Sequence, residues 1–307
     1  MEPGSSTGAG RDPVGSRRVP ANRGPDPVAA RAGAVFARHA KALGEHWPEY
    51  LIEAGGLGLF MVSAGVFGTL FEFPGSTVYR MIPDPGIRRA LMGIAMGGTA
   101  IGLVYSRWGM RSGAHFNPAT TLTFFRLGKV RAVDAVFYSV AHFMGAVAGV
   151  LLVGAVLGES FEAAPVLRVG TLPGAHGAAT AFLAEIGISG LLMTMVLNVT
   201  NTERLHVYAG LLAGLLVAVF ITFEAPISGM SMNPARSFGS LAVAGLWRFL
   251  WIYFLAPPIG MLIAAQIYLR RRGREGVRCA KMHHHNDQIC IFRCGYAPAP
   301  AGVPKEG

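Results

Sequence analysis

The residues with the clearest chemistry are two copies of Asn-Pro-Ala, Asn117-Pro118-Ala119 and Asn233-Pro234-Ala235, 116 residues apart. Each follows a Ser-Gly turn, Ser112-Gly113-Ala114 and Ser228-Gly229-Met230-Ser231. Proline is tolerated in the first helical turn, where its missing N–H would have no partner, and asparagine is a favoured cap, so each triplet reads as the start of a helix. A helix N-terminus exposes unpaired N–H groups and about half a positive charge. One copy alone is an ordinary cap. Two copies at equivalent places describe a pair of facing helix ends, whose field repels cations and whose amides can donate to a passing oxygen.

Three ionisable residues stand in or beside apolar sequence: Glu53, Glu185 and Arg236, the last directly after the second Asn-Pro-Ala. A charge near the middle of a membrane costs at least about 2.5 kcal/mol on insertion scales, so Arg236 belongs in a wet cavity. The two carboxylates read either as a proton relay or as buried acceptors for backbone N–H groups of the loops. His115 and His142 read as packed, hydrogen-bonded residues rather than proton carriers. A separate cluster lies near the C-terminus: Cys279, His283, His284, His285, Cys290 and Cys294 supply enough soft ligands for a tetrahedral Zn²⁺ or for Cu(I), although the spacings are not those of zinc fingers. The alternative is a basic tail with no metal. All three cysteines of the chain lie there, which leaves no disulfide framework for the core and suits a reducing cytosol.

The elements that must position these groups follow from composition. Only 14% of the 307 residues are charged and 52% are hydrophobic, too apolar for an average soluble domain. The net charge of +10 sits at the ends and in gaps between apolar runs, a membrane pattern rather than a nucleic-acid surface. Six runs, Tyr50–Phe71, Ala90–Tyr105, Ala132–Leu157, Gly177–Val199, Val207–Phe223 and Trp247–Tyr268, read as spans. The second is short and extends by snorkelling of Arg88, Arg89 or Trp108. Two shorter segments, His115–Phe125 and Met232–Val243, read as half-helices. Three spans and one half-helix, used twice, make an inverted repeat with its site at the bilayer midplane.

With both termini inside, 21 of the 27 Lys and Arg fall on cytoplasmic segments. Residues 1–46 read as a disordered basic arm without the apolar core of a signal peptide, 47–272 as the membrane domain and 273–307 as a cytoplasmic Cys/His tail. Gly145, Gly149, Gly210 and Gly214 form two small-xxx-small pairs suited to close helix packing.

On the two Asn-Pro-Ala segments, together with Tyr138-Ser139-Val140-Ala141-His142-Phe143-Met144-Gly145-Ala146 and Trp251-Ile252-Tyr253-Phe254-Leu255-Ala256-Pro257, the sequence resembles the aquaporin and glycerol-facilitator family, the major intrinsic proteins, over roughly residues 50–270. The resemblance implies an all-α membrane protein with six transmembrane helices and two re-entrant half-helices, one pore per chain in a homotetramer, in the plasma (inner) membrane. It implies a passive channel for water and small neutral solutes such as glycerol, urea or metalloid acids, closed to protons and ions and needing no cofactor for transport. Glu53 and Glu185 would then brace the loops. Counting along the resemblance puts the outer filter at Gly97, Ile221, Met230 and Arg236. Strict water channels of the family carry an aromatic residue and a histidine at the first two, so a wider, less polar constriction is expected. Ser237 and the Tyr253-Phe254 pair look instead like a water channel. The competing readings are a proton-coupled secondary transporter using Glu53 and Glu185, and a membrane enzyme or metal sensor acting through the tail. The spans offer no nucleophile-and-base arrangement for an enzyme.

Overall fold

Residues 27–296 are described here in a computed structural model. The chain divides into two units, residues 1–40 and 41–307. In the first, the described residues are helical from Pro27 onward, and His39 Nδ1 lies 2.8 Å from the Val35 carbonyl.

Twelve α-helices occur among the described residues, and no strand. They are α1 (Pro27–Glu72), α2 (Thr77–Met81), α3 (Pro85–Tyr105), α4 (Arg107–Ser112), α5 (Pro118–Arg126), α6 (Ala132–Leu157), α7 (Glu159–Glu162), α8 (Gly177–Thr200), α9 (Ala209–Phe223), α10 (Ala225–Ser228), α11 (Pro234–Val243) and α12 (Leu250–Arg272). Six of them, α1, α3, α6, α8, α9 with the turn before it, and α12, are long and apolar enough to cross a membrane. The short α5 and α11 are the half-helices. The architecture is all-α, with α12 packed on α8 and α5, α3 on α9, and α6 on α11.

Two boundaries differ from those read off the sequence. The first helix begins at Pro27, inside the arm expected to be disordered to residue 46. The prolines and most glycines of that arm precede residue 28, whereas the stretch that follows is rich in alanine, the best helix former. The rest of that expectation falls on residues 1–26, outside the described residues. The second difference concerns the tail: α12 ends at Arg272, but Val277, Cys279, Ala280, Met282 and Phe292 are buried in the same core as Phe124, Tyr138 and Leu197. The described part of the tail, residues 273–296, is therefore packed on the helical body.

The second span starts earlier than its apolar run. Asp84 caps α3 by accepting from the Ile87 N–H at 2.9 Å, and Arg88 turns back to donate to the Ile82 and Pro83 carbonyls at 2.8 and 2.9 Å. Trp108 belongs to the separate helix α4. Glycines set the closest helix approaches: a Cβ on Gly97 would lie 2.5 Å from the Gly214 carbonyl oxygen, so α3 and α9 meet backbone to backbone.

Candidate functional site

The two half-helices begin at matching loops. In each, the residues after the Ser-Gly turn take left-handed backbone angles: Ala114 (φ 55°) and Phe116 (φ 44°) in one, Met230 (φ 48°) and Met232 (φ 53°) in the other. Such angles are costly for residues with a side chain and persist only where surrounding contacts hold them. Glu53 supplies those contacts in the first loop. Its carboxylate is fully buried and accepts from the Ser112 hydroxyl (2.7 Å), the His115 N–H (3.1 Å), the Phe116 N–H (2.6 Å) and His142 Nε2 (2.7 Å). Glu185 does the same in the second, accepting from the Ser228 hydroxyl (2.9 Å), the Ser231 N–H (2.6 Å) and the Met232 N–H (2.8 Å). Two tyrosines complete the pairing: Tyr138 donates to the Ser112 carbonyl at 2.7 Å and Tyr253 to the Ser228 carbonyl at 2.5 Å.

The Asn side chains hold two positions at once. Asn117 Oδ1 accepts from the Ala119 N–H at 2.9 Å, and Asn233 Oδ1 accepts from the Ala235 and Arg236 N–H groups at 3.1 and 3.2 Å, so both are helix caps. Their amide nitrogens cross over, Asn117 Nδ2 to the Met232 carbonyl at 2.7 Å and Asn233 Nδ2 to the Phe116 carbonyl at 2.8 Å. Pro118 and Pro234 open the two half-helices, and Ala119 and Ala235 are buried behind the caps. Each amide keeps a second N–H.

Both asparagines line a cavity of about 800 Å³. It runs from Glu72 and Arg89, where α1 ends and α3 begins, past Asn117 and Asn233 to Met282 of the tail at the opposite end. Arg236 lines it and donates from Nη1 to the Val169 carbonyl at 2.9 Å. That carbonyl belongs to a left-handed turn, Leu167–Val169, with φ of 45°, 53° and 49° in succession. Ser237 stays out of the wall, 2.6 Å from both the Thr171 and Ser231 hydroxyls.

A model of the family described as Major intrinsic protein matches residues 47–268. The chain belongs to that family. This major intrinsic protein is 30% identical to Aquaporin NIP2-3 of Zea mays over 257 residues, covering 83% of this chain and 81% of that one. It is 33% identical to Glycerol uptake facilitator protein-like 6 of Lactiplantibacillus plantarum over 177 residues, or 57% of this chain and 81% of that one. Its fold matches the X-ray structure of the aquaglyceroporin from Plasmodium falciparum with a TM-score of 0.60 at 20% identity, over 73% of this chain and 96% of that one. Six apolar helices in a protein of this family make it an integral membrane protein of the aquaporin type.

Within this major intrinsic protein, three of the four expected filter residues, Ile221, Met230 and Arg236, share the cavity wall. Gly97 does not. It faces Gly214 on α9, and Met96, one residue earlier, lines the cavity along with Met92 and Ala100. Between Gly97 and Asn117 the chain breaks at Ser106 and forms the separate short helix α4, and one residue on a helix is about 100° of rotation. In place of the expected glycine, Met96 lines the cavity that Met230 also lines. Tyr253 and Phe254 also lie outside the wall, the first bracing Ser228 and the second stacked on Phe143 at 5.7 Å.

His115 and His142 are both buried, His142 on Glu53 and His115 between the Thr121 hydroxyl (2.9 Å) and the Ala280 carbonyl of the tail (2.9 Å). In the tail, Cys279, His284, Cys290 and Cys294 come together with all four donor atoms within 4.8 Å of one another. His283 and His285 do not join them: His283 packs edge-on to Tyr105 and His285 stacks on His206. Cys279 Sγ and Cys290 Sγ lie 3.6 Å apart and share a hydrogen bond, which pulls the Cys290 thiol below its ordinary range and pushes that of Cys279 up. Near the other end of the cavity, burial outweighs the nearby Ser228 and pushes the Glu224 carboxyl up to about 8. Sequence reasoning missed Met96, the Val169 carbonyl and Met282. The alternation of Met92, Met96 and Ala100 at helical spacing was the available signal for the first.

Proposed function

We propose that the chain is a passive channel for water and small neutral solutes that excludes protons and other ions, with one pore per chain. What carries the reading is the crossed pair Asn117 and Asn233 in a cavity that reaches from one side of the spans to the other. Two helix N-termini meet there, so a cation faces two partial positive charges, and each asparagine has an N–H left to orient a passing oxygen and interrupt a proton-conducting chain. Arg236 adds a full charge nearby. The apolar walls contributed by Phe60, Met96, Ile221 and Met230 leave neutral solutes as the fitting class, glycerol, urea and undissociated metalloid acids among them. The names of the maize aquaporin and the bacterial glycerol facilitator agree with this class.

A proton-coupled carrier would need Glu53 and Glu185 to exchange protons with the cavity. Both are fully buried, outside the cavity wall, and each carboxylate is already occupied by three or more donors. Loop bracing is the role we assign them. We further propose a homotetramer in the plasma (inner) membrane with both termini cytoplasmic, on the strength of the charge distribution and the apolar outer faces of the helices. No step of the pathway uses a cofactor or nucleic acid.

Light scattering from proteoliposomes under an osmotic gradient tests this. Shrinkage should be several-fold faster than in empty vesicles, with no proton entry under an imposed pH gradient, and Arg236→Val should raise proton or cation leak relative to water flow. Solute uptake driven by the pH gradient, with shrinkage no faster than in empty vesicles, would establish the carrier instead.

A further inference from the structure

The tail carries a constellation that the channel does not use. Cys279, His284, Cys290 and Cys294 come from a segment without regular secondary structure among its described residues, yet three sulfurs and an imidazole converge to within 4.8 Å. Cys279 Sγ and Cys290 Sγ are 3.6 Å apart, and Cys294 Sγ lies 3.5 Å from His284 Nε2. A disulfide would put its sulfurs at about 2.0 Å. Around a zinc ion with Zn–S of about 2.3 Å and Zn–N of about 2.0 Å, the edges of a tetrahedron are about 3.8 Å between sulfurs and about 3.5 Å between sulfur and nitrogen. The two close pairs have tetrahedral edges.

A second observation is independent of the ligands. Lys281 is 1% exposed, its ammonium donates to the Gln288 and Ile289 carbonyls at 3.2 and 2.8 Å, and among the described residues the carboxylate that acts on it, Glu49, stands beyond ion-pair distance. Burying a charge without a counter-charge is costly. Three thiolates, one neutral imidazole and Zn²⁺ together carry one negative charge, which would stand next to Lys281 in the chain and add to the more distant Glu49 in offsetting its ammonium. The surroundings also orient the donors: Tyr296 stacks on His284 with ring centres 4.2 Å apart, and its N–H donates to the Cys294 sulfur at 3.4 Å.

We propose that Cys279, His284, Cys290 and Cys294 bind one Zn²⁺, and that this site folds the tail into a cap across the end of the cavity that Met282 lines. The cap is tied to the first half-helix loop: the Met282 N–H donates to the Gly113 carbonyl at 3.0 Å, and Phe292 stacks on His115 with ring centres 5.3 Å apart. A Cβ on Gly113 would lie 2.7 Å from the Phe292 ring. Residues 273–296 have no helix or strand of their own to hold the buried residues in place, and a metal supplies folding energy to such a segment. Four donors in a tetrahedron with one imidazole fit zinc, and nothing in the donor geometry depends on which solute crosses the cavity.

The test uses the full-length chain, without an affinity tag containing histidine, purified under reducing conditions. Elemental analysis should find close to one zinc per chain. Exchange with Co²⁺ should give tetrahedral d–d bands and sulfur-to-cobalt charge transfer, a readout that needs no variant. The double substitution Cys290→Ser with Cys294→Ser should reduce zinc at least ten-fold, whereas His283→Ala and His285→Ala should each retain it. Chelation should raise amide hydrogen exchange at 277–294 while the spans stay protected. Zinc-free protein with three free thiols, a Cys279–Cys290 disulfide, copper in place of zinc, or full zinc content in the double variant would each overturn the assignment. Unchanged exchange after chelation would remove the cap.

Discussion

Asn117 and Asn233 are each bonded to the backbone of the other's loop, Nδ2 of the first to the Met232 carbonyl at 2.7 Å and Nδ2 of the second to the Phe116 carbonyl at 2.8 Å. Each accepting carbonyl belongs to a residue held at positive φ, Met232 at 53° and Phe116 at 44°. The turn that strains each loop thus presents its carbonyl to the partner, and the same carboxylate, Glu53 or Glu185, fixes that residue's N–H.

Either asparagine changed to alanine should therefore cost more than a cap. Loss of the cap contributes about 1 kcal/mol and loss of the crossed bond about 1 kcal/mol more. We expect Asn117→Ala and Asn233→Ala each to lower the Tm in detergent by several degrees and to reduce water flux at least several-fold. A double variant no less stable than either single one would show that the two bonds act as a unit. Unchanged Tm in both single variants would refute the bracing role.

The neighbours Met96 and Gly97 should separate pore width from packing. Met96→Ala removes a side chain from the cavity wall and should increase glycerol or boric-acid flux relative to water, at a stability cost of about 2 kcal/mol or more because Met96 is buried. Gly97→Ala places a Cβ 2.5 Å from the Gly214 carbonyl and should destabilise the α3–α9 contact by about 1 to 3 kcal/mol. Thermal unfolding in detergent and paired flux assays check both. If Gly97→Ala narrowed solute selectivity at full stability, Gly97 would belong in the wall after all.

Glu224 gives a pH dependence of defined sign. Burial raises its carboxyl from 4.5 to about 8 in the folded protein, so the folded state holds this proton more tightly than the unfolded one. Its contribution is greatest below pH 4.5 and is lost as the pH rises through 8, a span of at most about 5 kcal/mol. Glu224→Gln should accordingly leave the Tm unchanged at pH 4.5 and raise it at pH 8.5. Equal Tm values for wild type and variant at pH 8.5 would show that the carboxylate finds water or a partner there.

The sequence alone determined the architecture. Six apolar runs and two Asn-Pro-Ala starts have few physical solutions, because a membrane leaves only helices for satisfying the backbone and proline with asparagine marks a helix start. The same logic made Glu53, Glu185 and Arg236 visible, since a charge in apolar sequence must have a partner or water. The start of α1 was less legible, because composition averaged a proline- and glycine-rich stretch with the alanine-rich helix that follows. What only the tertiary structure decided is which face each residue presents. Met96 and Gly97 are adjacent in sequence but about 100° apart around α3, and the break at Ser106 removes the register needed to choose between them. The tail obeys the same rule. Three adjacent histidines are equivalent as a sequence, but the chain path brings only His284 to the three cysteines, while Met282 and Phe292 bury themselves against a loop more than 160 residues earlier. Without a repeating backbone period, local sequence gives no side-chain direction, and long-range packing sets it.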